Sequence, residues 1–223
     1  MSISIRSPKP AIKTVDAPEY LQAFREQVFK LIKMGYDRLD SKEYKDSEEP
    51  DISGELVSKM REIAQNSTGL RWAAHFSIHD DPPINELKRL GKKRRRLDIE
   101  LVRTRYGPHP RYPFEAKRLS GRYFTTGKYL GQKGLKEFTT GHYAADLDEA
   151  GMLGYIQSDS LQKWADKLHR QFEKDSMSLQ ACPDGKWTNT EVIPELNHCY
   201  RSKHNRPTVG KPITLYHILL NFC

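Results

Sequence analysis

Asp98, Glu115 and Lys117 have the residue types and the spacing of a phosphodiester-hydrolysing site. Two carboxylates a few ångströms apart repel each other and favour a cation between them. Hard oxygen ligands with open positions suit Mg²⁺, which keeps several waters and takes one or two carboxylates plus phosphate; Mn²⁺ is the natural substitute. A lysine beside such a cation orients or helps deprotonate an attacking water and offsets charge on a phosphorane-like transition state. The bland alternative is a surface hairpin whose Asp, Glu and Lys form solvated ion pairs, each contributing little.

The elements that must position these residues are two strands and a turn. From Leu97 to Arg105 the chain alternates, with Leu97, Ile99 and Leu101 on one face and Asp98 and Glu100 on the other. Gly107-Pro108-His109-Pro110 reads as a turn. The return strand, Arg111 to Leu119, puts Glu115 and Lys117 on one face and Phe114 and Ala116 on the other. Paired around that turn, Asp98, Glu115 and Lys117 converge, with Glu100 as a substitute ligand on the same face. Pro113 lacks a ladder donor and argues for an edge position or a bulge.

Asp98, then sixteen residues, then Glu115-Ala116-Lys117 resembles the PD-(D/E)XK nuclease superfamily, with matching elements over roughly residues 50 to 160. Leu97 stands where the signature has its proline. The resemblance implies a restriction-endonuclease-like α/β fold, a mixed central β-sheet flanked by helices, and Mg²⁺-dependent cleavage of DNA in a bacterial or phage-related setting such as defence. It also implies a further acidic ligand on an upstream helix, for which Glu55 in Ser53-Gly54-Glu55-Leu56-Val57 is the best match. A homodimer is a further implication of the resemblance.

Composition agrees with an anionic partner. The chain has 223 residues, a formal net charge of +8, 37% hydrophobic and 30% charged residues, and a mean hydropathy of −0.76. Lys88, Arg89 and the run Lys92, Lys93, Arg94, Arg95, Arg96 lie directly before Asp98. That position favours phosphate contacts over a merely solvated run. Arg118 and Arg122 follow the E-x-K motif, and beyond them Lys128, Lys133 and Lys136 interleave with Tyr123, Phe124 and Tyr129, a composition that can grip a backbone and stack a base. No apolar run approaches the ~18 residues that cross a bilayer, so no membrane partner is expected. The start lacks the apolar stretch of a signal peptide. Three scattered cysteines, Cys182, Cys199 and Cys223, point to a reducing cytoplasm. Of His198, Cys199, His204 and Cys182, only His198 and His204 have a zinc-ligand spacing, and the cysteines are scattered, so no structural zinc is expected.

The rest of the chain reads as one compact domain in three parts. Residues 1–50 are an arm and a helix from Ala17 to about Met34, stopped by Gly35. Residues 51–175 are the nuclease-like core, with a helix capped at Ser53, a strand from Trp72 to Ile78, a short helix from Ile84 to Leu90, a helix from Leu135 to Tyr143, a strand at Gly151-Met152-Leu153-Gly154-Tyr155-Ile156 and an amphipathic helix from Asp159 to Asp175. Residues 176–223 are an extension ending in a strand pair. There is no P-loop, so an ATPase or a specificity module would have to come from a partner protein. DNA is the expected substrate and RNA the alternative polymer, since nothing reads a 2′-hydroxyl. The alternative from another class is a non-catalytic nucleic-acid-binding or adaptor protein with the same fold.

Overall fold

The computed structural model describes residues 17–66, 69–84, 91–105, 109–121 and 123–223. Its helices are α1 (Ala17–Tyr36), α2 (Glu49–Asn66), α3 (Thr126–Tyr129), α4 (Leu135–Thr139) and α5 (Leu161–Asp175). Its strands are β1 (Phe76–Asp80), β2 (Ile99–Arg103), β3 (Arg111–Leu119), β4 (Glu149–Ile156), β5 (Thr188–Asn189), β6 (Cys199–His204) and β7 (Ile213–Asn221). The strands form one mixed sheet in the order β1-β2-β3-β4-β7-β6-β5. β3, β4 and β7 run parallel, and the flanking pairs are antiparallel. The fold is therefore α/β, with helices on both faces.

Strand alternation sorts the side chains between two cores. Phe114 and Ala116 of β3, Leu153 and Tyr155 of β4, and Tyr216, Ile218 and Leu220 of β7 pack with α1 and α2. Leu119, Met152, Ile156, Leu215 and Leu219 face the other way, against Tyr129, Phe138, Trp164 and Leu168 of α3, α4 and α5. At the centre, Gly151 lies opposite Phe114. A Cβ there would come within 2.0 Å of the Phe114 ring, so only glycine lets that ring lie across β4.

Several elements depart from expectation for identifiable reasons. Gly35 does not stop α1; it lies inside the helix, where a Cβ would come within 2.7 Å of Met60 Cγ, and so it permits the close approach of α2. The α2 helix starts at Glu49 rather than at Ser53, with Pro50 in its first turn, where the missing N–H costs nothing. Ser53 is buried and shares a hydrogen bond with Tyr155 (2.8 Å) instead of capping. The segment expected as a strand from Trp72 forms a 3₁₀ turn over Ala73–His75 before β1. Pro113 sits in a central strand with no bulge: β3–β4 pairing begins at Phe114, so no ladder bond asks for its absent N–H. The C-terminal strand pair is part of this sheet, β7 lying between β4 and β6. Residues 1–16 and most of the expected Ile84–Leu90 helix lie outside the described residues.

Candidate active site

Asp98, Glu115 and Lys117 come together where β2 gives out and β3 continues. The β2–β3 register pairs Ile99 with Phe114, so Asp98, one residue earlier, faces Glu115. Lys117, two residues on, lies on the same face. Its ammonium is 2.7 Å from Glu115 Oε1 and 3.9 Å from Asp98 Oδ2. It also donates to the Ala116 carbonyl (2.5 Å), which turns that oxygen toward the cluster.

Beyond Ile99 the N–H groups of β3 that point toward β2 lose their strand partner. Carboxylates take its place: Asp98 Oδ2 accepts from the Ala116 N–H (2.6 Å) and Glu49 Oε2 from the Arg118 N–H (3.0 Å). Exposed strand donors need such acceptors, and here the need fixes both acidic side chains at the lysine. The other oxygen of Glu49 lies 2.7 Å from Lys117 Nζ.

Three carboxylates share one ammonium, and Asp98 is also hydrogen-bonded to Glu115. Glu115 and Lys117 have side-chain exposures of 7% and 14%. Burial, reinforced by the Asp98 charge, pushes the Glu115 carboxyl well above the usual range. Asp98 is also raised, by burial, against the pull of Lys117 and the Ala116 N–H. Burial alone would depress Lys117; the charges of Glu115, Asp98 and Glu49 outweigh it and raise the ammonium's pKa. Lys117 therefore stays protonated at neutral pH.

The acidic side chain that the upstream helix brings to the cluster is Glu49, whereas Glu55 is engaged elsewhere. The two are six residues apart on α2, about 240° around the helix, and Glu55 pairs instead with Lys59 at 3.2 Å. Glu100, the expected substitute ligand, is paired with Arg111 at 2.8 Å. Arg118 departs from the expected phosphate contact: it is 8% exposed, bound to Glu48 (2.6 Å) and the Ser47 carbonyl (2.9 Å), and stacked on Phe124. It anchors the entry to α2 and hence Glu49. In the basic run, Lys92 and Lys93 are exposed. Arg94 donates to the Gly91 carbonyl (3.4 Å), Arg95 reaches Glu137 (3.3 Å), and Arg96 pairs with Asp81 (2.6 Å). The last two guanidiniums thus serve internal pairs rather than a free phosphate track. Lys88, Arg89 and Arg122 lie outside the described residues.

Tyr143 is a further member of the site. Its hydroxyl donates to the Arg96 carbonyl (2.8 Å), and burial with the nearby charges of Glu115, Glu137 and Asp98 holds its pKa up. It braces the residues that enter Asp98. Its only signal in the sequence is its place in an aromatic-rich stretch.

The donor set matches a hard divalent cation in chemical type. Asp98 and Glu115 face each other, and the Ala116 carbonyl turns to the same place. Among the described residues no group of three or more His, Cys, Asp or Glu is arranged to hold a metal ion; both oxygens of Glu49 are taken by Lys117 and the Arg118 N–H. Two carboxylates suffice for Mg²⁺, which retains its waters. No protein-family model matches the chain, and comparison with curated proteins and with solved structures found no match.

Proposed function

We propose that the protein is a metal-dependent nuclease that hydrolyses DNA phosphodiester bonds, with a restriction-endonuclease-like arrangement of its sheet. The observation that carries this reading is the pair of facing carboxylates, Glu115 buried and Asp98 half-buried, with a protonated lysine on the same strand face. Asp98 and Glu115 would hold Mg²⁺ or Mn²⁺. The bound cation would polarise a phosphoryl oxygen and acidify a water. The Lys117 ammonium orients the attacking water and meets the charge that develops on the phosphoryl oxygens. With its pKa raised, it serves as a hydrogen-bond donor rather than the base. Glu49 holds Lys117 in register, and Asp98 is fixed by the Ala116 N–H.

One observation favours a second reading, a nucleic-acid-binding protein without catalysis: the 2.7 Å pairs from Lys117 to both Glu49 and Glu115 make the cluster self-contained. The Lys117→Ala variant separates the two. The nuclease reading predicts that it binds DNA within about twofold of wild type and loses at least ~10²-fold in cleavage, on the scale of removing one stabilising donor. Undiminished cutting by this variant would exclude the role given to Lys117. Binding without cutting by the wild type under Mg²⁺ and Mn²⁺ would support the second reading.

A further inference from the structure

A groove of about 390 Å³ lies between α5 and the start of α3, lined by Gly121, Thr125, Thr126, Lys167, Arg170 and Lys174 among others. No carboxylate is among its described lining residues. The cause is a charge pattern on α5. Lys163, Lys167, Arg170 and Lys174 follow one another at steps of four, three and four, one stripe of a 3.6-residue helix. Asp166 and Glu173 fall on an adjoining stripe, engaged with Gln162 (2.8 Å) and His169 (3.8 Å). Lys163 and Lys167 are partly neutralised by Asp159, at 2.6 and 2.9 Å. Arg170 and Lys174 have no ion-pair partner among the described residues. The stripe spans about 16 Å at 1.5 Å per residue, long enough for several consecutive phosphates.

Tyr123, 77% exposed, belongs to the tight turn closed by Ser120 and Phe124 and is two residues along the chain from each of the lining residues Gly121 and Thr125. Its neighbours behave differently: Phe124 lies between Arg118 and Lys128, and Tyr129 is fully buried. An aromatic ring left in solvent beside a basic groove is a stacking platform for an unpaired base; bases in a duplex are already stacked. Gly121 is four residues beyond Lys117, which bounds their Cα separation at about 14 Å. α3 also packs against both β3 and α5.

We infer that this groove binds single-stranded DNA, with Tyr123 stacking one base and Arg170 and Lys174 taking phosphates, and leads the strand to the Lys117 cluster. The inference rests on the nuclease reading for its choice of DNA and for the destination of the strand. The groove itself is testable apart from cleavage.

The test is fluorescence anisotropy with a labelled 20-nucleotide oligo(dT) in EDTA, where nothing is cut, over a salt series. Tyr123→Ala should weaken binding roughly 5- to 100-fold, the range for losing one stacked base. The double variant Arg170→Ser/Lys174→Ser should reduce the slope of log K against log salt by about 1.4. Both changes are at exposed positions, and circular dichroism checks that the fold is kept. A duplex of the same length should bind more weakly than the single strand. Wild-type affinity and slope in both variants would overturn the groove, and tighter binding of duplex or of oligo(U) would overturn the assignment to single-stranded DNA. Groove-dependent binding by a protein that cuts nothing with Mg²⁺ or Mn²⁺ would uphold the groove and reject the nuclease. Metal-dependent cutting of single strands that neither variant alters would do the reverse.

Discussion

Glu115 is the most stressed side chain of the cluster. It is nearly buried and faces Asp98, and its carboxyl is pushed well above the usual range chiefly by burial. A group whose neutral form the fold prefers is destabilising when ionised. Glu115→Gln keeps the shape, leaves Lys117 its Glu49 and Ala116 oxygens, and removes the cost of burying an ionisable carboxyl beside Asp98. Thermal unfolding in EDTA should place this variant about 1–3 kcal/mol above wild type, a midpoint rise of roughly 2–4 °C per kcal/mol at this chain length. Mg²⁺ should stabilise the wild type and not the variant. A lower midpoint for the variant in EDTA would refute this charge accounting.

The elements around the cluster differ in how plainly the sequence announced them. β3 was legible from the alternation of Phe114 and Ala116 with Glu115 and Lys117, although Pro113 argued for an edge, and part of the expected turn, residues 106–108, lies outside the described residues. Glu49 was not. It ends a charge-rich stretch that resembles a solvated loop, and the one contrary sign is Pro50, which suits the first turn of a helix. Ser53 imitates a cap, which puts the expected helix start four residues late and Glu55 in its first turn. Nor did the central place of β7 follow from its sequence: an apolar run shows that a strand is buried, while its neighbours are chosen by the crossovers. Gly151 tests the strand packing beneath the site. Gly151→Ala pushes a Cβ into the Phe114 ring at 2.0 Å, and overpacking of this kind costs about 2–3 kcal/mol. The midpoint should fall by roughly 4–12 °C and cleavage should fall with it, since Phe114 precedes Glu115. An unchanged midpoint would show that β3 and β4 are not packed as described.

Across the whole molecule, burial of ionisable groups sets the response to pH. On the face away from α1 and α2, Tyr129, His217, Ser202 and His204 form a buried chain ending at the Leu179 carbonyl, with links of 3.1, 2.8, 2.8 and 2.7 Å. With both imidazoles neutral, its direction is determined. His204 Nδ1–H donates to Leu179, so its Nε2 accepts from Ser202. Ser202 then accepts from His217 Nε2–H, whose Nδ1 accepts from Tyr129. Burial lowers His204 to about 4 and His217 well below its ordinary value. The unfolded chain binds protons at these sites below about 6.5 and the folded chain does not, so stability falls as pH drops from 6.5 toward 4. His204 alone contributes about 3 kcal/mol to that loss. Asp98 and Glu115, raised in the fold, act in the opposite sense: their contribution is favourable at low pH and is lost as pH rises through their folded pKa. The histidine effect is therefore best read in the Glu115→Gln protein, whose urea midpoint should be clearly lower at pH 5 than at pH 7. Equal midpoints there would contradict a neutral buried chain.

As proposed above, Asp98 and Glu115 form a cation-dependent cleavage site. The most direct test is a nuclease assay on linear, circular and single-stranded DNA with Mg²⁺, Mn²⁺ or EDTA, comparing wild type with Glu115→Ala. Cutting by the wild type should require the metal and disappear in the variant. Cutting that persists in EDTA or in Glu115→Ala would contradict this site, as would salt-sensitive binding by both proteins with no cutting under any metal.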